Sequence, residues 1–392
     1  MGWASASSTE ADTRAAAREV CEILGHTAGP APVDVAFAFY SGHHVTHAAR
    51  LAETLRRRLV PATLIGASAH GVVSTAHEIE TGPALTVMVA RLPGVDVHPF
   101  LLTAETWAEA HRDAQAFARA APHVRGATLV LLFGDPFTLD SDSVLAAFNL
   151  HAPGVPVVGG LGSAGQRPRS NALMLNDWLS EDGGVALALA GAVRADVVVS
   201  QGCRPIGPDL TVTRSEGNVL VELDGRPAVE RVEQVLRALA ADERESLKHG
   251  LYLGRAARGE ASGRGDWVIR NLLGADRDRG VIAVSDLVPE GETMRLHVRD
   301  AASAREDLAM LLSPQVVDSP ARAALLFACN GRGRAFHRQP DGDIATLQAA
   351  LGGGVPAGGM FCAGEIGPVA GRNFLHSHTA SIAILRPTAV AH

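Results

Sequence analysis

One pattern recurs three times along the 392 residues and restricts the fold more than any other feature of the chain. An apolar strand (Val33 to Tyr40, Thr128 to Phe133, Ala323 to Ala328) leads into a helix (His47 to Leu59, Ser143 to Leu150, Ile344 to Leu351). A proline and a glycine-bearing segment follow each helix: Pro61 to Gly66, Pro156 to Gly160, Pro356 to Gly359. In every copy four residues then lead to another glycine, at Gly71, Gly165 and Gly364. A further apolar strand able to pair back closes each unit, at Ala84 to Leu92, Gly184 to Ala190 and His378 to Leu385. Strand-helix-strand-strand units of this kind build mixed sheets with helices packed on them, and units set side by side bury a common core. The expected class is α/β, with helices on mixed sheets and two pseudo-repeated domains.

A strand at Val97 to Leu102 and a helix at Trp107 to Ala120 precede the second unit, as Leu296 to Arg299 and Ser303 to Leu312 precede the third. The turn Asp224-Gly225-Arg226-Pro227 then marks a boundary. Residues 1–32 read as a tail and helix: Met1 to Thr9 is small, polar and loose, and Ala15, Ala16, Val20, Ile23 and Leu24 line the helix up to a turn at Gly29-Pro30. Residues 33–225 and 226–385 form the two domains and 386–392 a second tail. Asn218 after Gly217 carries hairpin-turn chemistry, and Cys203 closes the last strand of the first half as a wall of any pocket there.

Composition removes several function classes. With 47% hydrophobic and 20% charged residues the chain packs a core and is not disordered. A net charge of -7 leaves no broad basic field, so nucleic acid is not an expected partner. Cys21, Cys203, Cys329 and Cys362 are widely spaced, form no CxxC and follow no secretory leader, which points to free thiols in a reducing cytoplasm. No apolar run reaches the ~20 residues that span a bilayer, and a membrane partner is not expected.

Gly160-Leu-Gly162-Ser-Ala-Gly165 satisfies G-x-G-x-x-G, but Arg167-Pro168-Arg169 intervenes where a phosphate-binding loop must open a helix. Gly66-Ala-Ser68-Ala-His70 lacks the last glycine of a nucleophile elbow. Cys329-Asn330-Gly331-Arg332-Gly333 sits where a strand gives way to a flexible loop. Arg332 there either presents its guanidinium to a carboxylate or is solvated, and Cys329 is either a thiolate favoured by that cation or a structural thiol. Glu365, in Gly364-Glu365-Ile366-Gly367, either receives a ligand amine or orients Arg332. His376 and His378 fall on one face if they share a strand, where they either ligate a metal or haem iron or are hydrogen-bonded strand residues. His43, His44 and His47 read as solvated or capping groups at a helix start.

The order and spacing of Gly202-Cys-Arg-Pro-Ile-Gly207, Gly217 to Ala228, Phe327 to Gly333, and Gly364-Glu-Ile-Gly367 with Leu375, His376 and Thr379 resemble the FIST N and FIST C domain pair, over about residues 33 to 385. The resemblance implies a sensory module of bacterial signal transduction, also found in an F-box ubiquitin-ligase subunit, that binds small ligands such as amino acids. Some bacterial members are similar to haem-based nitric-oxide sensors. It also implies a ligand neighbourhood of Cys329, Asn330, Arg332, Gly364, Glu365 and His376, with His376 and His378 as the residues haem would use. No cofactor is otherwise expected. No kinase, cyclase or F-box segment is attached, so output is expected to pass through a separate signalling protein or a homo-oligomer. The resulting expectation is a sensor of an amino acid or other small anionic metabolite, held by Arg332 with Cys329 and Glu365 beside it. A haem-based nitric-oxide sensor and an enzyme with Cys329 as nucleophile are the alternatives.

Overall fold

In a computed structural model, which describes residues 1–29, 32–257 and 267–388, the recurrence becomes three sheets around one core. The first unit runs β1 (Gly2–Ser8), α1 (Thr13–Ala28), β2 (Val33–Ser41), α2 (Ala48–Leu59), β3 (Pro61–Ala69), the hairpin β4 (Val72–Val73) and β5 (Glu78–Ile79), and β6 (Leu85–Arg91). The second runs β7 (Val95–Leu102), α3 (Ala104–Trp107), α4 (Ala114–Ala120), β8 (Leu129–Gly134), α5 (Ser141–His151), β9 (Val157–Leu161), the hairpin β10 (Leu173–Leu175) and β11 (Trp178–Ser180), and β12 (Gly184–Gly191).

The third unit starts with β13 (Val193–Ser200) and is interrupted by an insert. The insert holds β14 (Cys203–Glu216), β15 (Val219–Leu223), β16 (Arg226–Pro227), α6 (Ala228–Ala238), α7 (Ala241–Ser246), β17 (Leu251–Ala256), β18 (Trp267–Asp276), β19 (Val281–Val284) and β20 (Thr293–Arg299). The unit then resumes with α8 (Ala301–Leu312), β21 (Ala323–Cys329), α9 (Arg334–His337), α10 (Gly342–Leu351), β22 (Ala357–Cys362), the hairpin β23 (Glu365–Val369) and β24 (Arg372–His376), and β25 (Ala380–Pro387).

Aspartates start the helices where the sequence supplies them. Asp12, Asp113, Asp140 and Asp300 each accept a backbone N–H from the first turn of α1, α4, α5 and α8. In each unit the core strands order as β1-β6-β2-β3, β7-β12-β8-β9 and β13-β25-β21-β22, with the last two parallel and the others antiparallel. Alternation then sorts the side chains. Phe37, Phe39, Leu131, Phe133, Leu325 and Phe327 point into the common core, while Ala38, Leu132 and Leu326 meet the helices outside. Phe39, Phe133 and Phe327, one from each unit, touch at ring-centroid distances of 5.3, 5.5 and 5.9 Å.

Each sheet is completed by the hairpin of another unit. Hairpin β10–β11 docks on β3, β23–β24 on β9, and β4–β5 on β22, the last seated by the N–H of Phe361 on the Gly71 carbonyl at 3.0 Å. A glycine occupies the equivalent place on the receiving strand in each unit: Gly66, Gly159 and Gly359. A Cβ there would stand 2.0, 2.0 and 1.8 Å from the carbonyl oxygens of Ala38, Leu132 and Leu326. Gly165 is not the equivalent of Gly71 and Gly364, as the recurrence had suggested. It lies in a longer loop, and Ala172 takes the position by accepting the Ser68 N–H.

The insert closes on itself, β14-β20-β17-β18-β19-β15 and back to β14, as a six-stranded antiparallel barrel, to which β16 adds. Its apolar centre includes Leu210, Leu223, Leu253, Met294, Leu296 and Val298, with Ala228, Val232 and Val235 of α6 packed in. The hairpin expected at Gly217-Asn218 joins β14 to β15.

Three expectations are corrected. Met1 to Thr9 is not loose: Gly2–Ser8 is β1, the edge strand of the first sheet, because its small residues pack on α1 and pair with β6. Leu296 to Arg299 belongs to the barrel, and β13 takes the edge of the third sheet instead. His44 is fully buried and bonded to the Thr13 hydroxyl at 2.9 Å, so it is not a solvated group. Pro30 and residues 389–392 of the expected tail lie outside the described residues. Among the described residues no helix is long and apolar enough to cross a membrane.

Alanine at Gly66 is expected to cost about 1–3 kcal/mol through overpacking. At Gly159 and Gly359, whose φ angles are 150° and 156°, backbone strain of about 1–3 kcal/mol adds to that cost. Gly25→Ala, with nothing within 4 Å of the new methyl, should instead leave stability unchanged or raise it, all four being read from denaturant midpoints.

Candidate functional site

The loop after β21 does not hold its arginine out to a ligand. Arg332 is fully buried, and its Nε and Nη2 donate to the two carboxylate oxygens of Asp343 on α10 at 2.8 and 2.7 Å. Burial alone would raise the Asp343 carboxyl, but the Arg332 guanidinium outweighs it and holds the acid well below the usual carboxylate range. Glu78, from the exchanged hairpin, accepts the N–H groups of Asp343 and Ile344 at 2.9 and 2.8 Å at the N-terminus of α10, while burial and the neighbouring Asp343 push its own carboxyl up to about 8. The remaining Nη1 of Arg332 approaches the His378 carbonyl at 3.5 Å. Arg332 is therefore a positioning residue for the bend at 376–379. The expectation that it grips an anion is corrected, and its internal partner is Asp343, not Glu365.

Glu365 does lie near Cys329. Its Oε2 accepts both the N–H and the hydroxyl of Thr379, at 3.0 and 2.8 Å, while its Oε1 has no partner among the described residues. Burial pushes this carboxyl up to about 8. Burial and the neighbouring Glu365 push the Cys329 thiol up to about 11, against the nearby Arg299, so the expected cation-favoured thiolate does not form at neutral pH. Asn330 is exposed, and its N–H donates to the Cys362 carbonyl at 3.0 Å. Gly364 serves packing, since a Cβ there would stand 2.9 Å from the Leu375 side chain.

His376 and His378 do not share a strand face. His376 ends β24, whereas His378 lies in the following bend with φ 67°. The His376 Nε2 meets the Gly367 carbonyl and the His378 Nε2 the Asn271 side chain, both at 2.9 Å. Burial lowers both rings to about 4, so they are neutral at pH 7. His376 is only 1% exposed and His378 sits in a separate bend against Tyr252, so the two rings share no open face that would fit haem.

What faces these groups is the barrel. Its strands turn Cys203, Tyr252, Trp267, His297 and Arg299 toward the third unit, on the side opposite the barrel's apolar centre. Arg299 donates through Nη2 to the Gly331 carbonyl at 2.7 Å and lies 3.9 Å over the Phe336 ring. Tyr252 meets His378 edge-on at 4.6 Å, and Trp267 meets His297 at 5.4 Å. Gln201, at the base of the barrel, donates to the Trp267 carbonyl. Five buried atoms in this seam have no partner among the described residues: Gln201 Oε1, His297 Nε2, Arg299 Nε, His378 Nδ1 and Glu365 Oε1.

The FIST N domain matches residues 34–226 and the FIST C domain residues 228–368. The chain belongs to the FIST family. The junction of the two matches falls within the barrel, between β15 and α6, so both contribute to it. FIST domains are associated with sensory signal transduction. An uncharacterized protein of Mycobacterium bovis is 39% identical over 382 residues, 96% of each chain, and one of Mycobacterium tuberculosis is 37% identical over 375 residues, 95% of this FIST chain and 96% of its own. Among solved structures, a cyanuric acid hydrolase from A. caulinodans covers 99% of both chains at 9% identity and a TM-score of 0.41.

Apart from Cys203, the barrel half of this FIST site escaped the sequence reading. A usable signal was present in β20, where His297 and Arg299 alternate with Leu296 and Val298 and so must face away from the apolar centre. No motif marks Gln201, Tyr252 or Trp267.

Two outcomes are expected. Arg332→Met strands the buried Asp343 charge and should cost about 3–5 kcal/mol, whereas Arg332→Met with Asp343→Leu should be more stable than that single variant in denaturant titration. Because the folded chain holds the Glu365 proton from the ordinary 4.5 up to about 8, folding stability falls as pH rises through that window. Burial and the neighbouring Asp343 push Glu78 up to about 8 as well, so Glu365→Gln should remove about half of the fall, measured by denaturant midpoints from pH 4.5 to 8.5.

Proposed function

We propose that this FIST chain is a sensory protein that binds an amino acid or other small anionic metabolite in the seam between the barrel and the third unit. The observation that carries the reading is the set of five buried polar atoms there with unspent hydrogen-bonding capacity. An unsatisfied buried donor or acceptor costs about 1–3 kcal/mol, so a ligand that supplies partners recovers that energy on binding. Arg299 takes the role first expected of Arg332. Its Nε is a charge-assisted donor for a ligand carboxylate. Gln201 Oε1 accepts from a ligand ammonium or amide, Glu365 carries its proton at neutral pH and donates through Oε1, since Oε2 accepts from Thr379, and the neutral rings of His297 and His378 serve either polarity according to tautomer.

Cys329 supplies a thiol wall in this arrangement and not a nucleophile, since its proton stays on at pH 7. The ligand state is read by a separate signalling protein in the cytoplasm. The other two units lack the equivalent chemistry. Where β23 places Glu365 against its receiving strand, β10 and β4 place Leu173 and Val72.

A thermal-shift panel of amino acids and small organic anions, with native mass spectrometry of the purified chain, tests the reading. A ligand at 100 times its Kd should add about 2.7 kcal/mol of stability. Arg299→Ala should abolish the shift, while Arg18→Ala on the exposed face of α1 should keep it. A ligand that stabilises Arg299→Ala as much as the native chain would move the site away from the seam.

A further inference from the structure

We infer that the barrel is a hinged lid over the seam, so that a ligand is captured by rigid-body opening and closure; this rests on the seam being the ligand site. The groups that would bind cannot be reached with the barrel down. Glu365, His297, Gln201 and Arg299 are 0, 1, 4 and 9% exposed. Some part of the surround must move for anything to meet them, and the topology singles out which part.

The chain passes between the third unit and the barrel only twice, from Ser200 at the end of β13 to Cys203 of β14, and from Arg299 of β20 to Ala301 of α8. Gly202 occupies the first crossing at φ 63°, and a Cβ there would stand 2.3 Å from Arg332 Nη1. At the second, Asp300 alone separates strand from helix, and its side chain caps α8 through the Ser303 N–H at 2.8 Å. Both crossings are short, and each is anchored to the third unit, which is what a two-stranded pivot requires.

The barrel also has a centre of its own. Among the described residues sixteen buried apolar side chains fill it, against three in the small cluster of Ala257, Val268 and Val369 that spans the seam. A body with its own core and a polar interface moves relative to its neighbour by default. Among the described residues the other contacts across the seam include Asn271 to His378 at 2.9 Å, Arg270 Nη1 to the Leu375 carbonyl at 3.0 Å, Gln201 to the Trp267 carbonyl, Tyr252 edge-on to His378 at 4.6 Å, and those of Arg299 with Gly331 and Phe336.

The four native thiols report the motion. Cys203 and Cys329 line the seam, whereas Cys21 lies on the buried face of α1 and Cys362 in the common core. Labelling of the full-length chain with N-ethylmaleimide, followed site by site by mass spectrometry, should modify Cys203 and Cys329 faster than Cys21 and Cys362. Asn271→Ala, which releases one fastening, should accelerate the two seam thiols about 2- to 12-fold and leave Cys21 unchanged. Arg270→Met, which releases Leu375, should do the same. The lid is overturned if neither variant accelerates the seam thiols, or if all four thiols accelerate together, as global unfolding would make them. Because no ligand is present, a chain that binds nothing in the panel can still pass this test. A ligand found without selective acceleration would sink the lid alone.

Discussion

Each of the three sheets ends on a strand whose outer hydrogen bonds are made by another unit's hairpin, and that exchange governs the rest of the molecule. β3, β9 and β22 would otherwise present open edges, which a folded chain must cover or pair. The cost is that no unit completes its sheet alone. The benefit lies in what the hairpins carry. β5 brings Glu78 from the first unit to the N-terminus of α10 in the third, where it accepts two backbone N–H groups beside Asp343. The exchange thus fixes α10 relative to the receiving sheet, and with it the carboxylate that Arg332 needs.

The Arg332–Asp343 pair is next in this chain of dependence. A buried ion pair contributes little net stability once desolvation is counted, but it tolerates few alternative geometries. Both oxygens and two guanidinium nitrogens are spent on each other, so the third nitrogen can only face the His378 carbonyl. That orders the bend whose Thr379 binds Glu365. Charge on the loop after β21 therefore works inward, holding the floor of the seam, while the barrel contributes the guanidinium that faces it.

The sequence made the repeated frame legible because burial imposes periodicity. Strands with apolar faces on both sides, helices between them and proline before each receiving strand can be read without coordinates. The edge strand β1 was hidden because Gly2–Ser8 is made of small residues that look like a tail until β6 lies beside them. The barrel was hidden for a different reason. Its closure depends on bulges between Ile206 and Asp209 and between Leu272 and Gly274, and no periodicity encodes such register shifts. The candidate site was half legible: Glu365 and Cys329 come together, but choosing between Asp343 and Glu365 as the partner of Arg332 requires knowing where α10 lies. Local motifs name the groups that can carry charge. Only the tertiary arrangement decides which of them remains unpaired.

A sensor also needs two states that a ligand distinguishes, and affinity alone does not supply them. In the closed seam, five polar atoms are buried without partners, which penalises closure by itself. The fastenings from Asn271, Arg270 and Arg299 oppose that penalty, each at about 0.5–1.5 kcal/mol for a neutral hydrogen bond and more for a charged one. In the proposed lid these opposing terms set the balance between the two positions of the barrel. A ligand that satisfies the unpaired atoms binds only the closed state, so its whole interaction energy is differential and goes into shifting the balance. Replacing the orphan groups by apolar ones would remove the penalty and leave the barrel shut regardless of ligand. On this argument the unsatisfied atoms are what allow the closure to depend on a bound molecule.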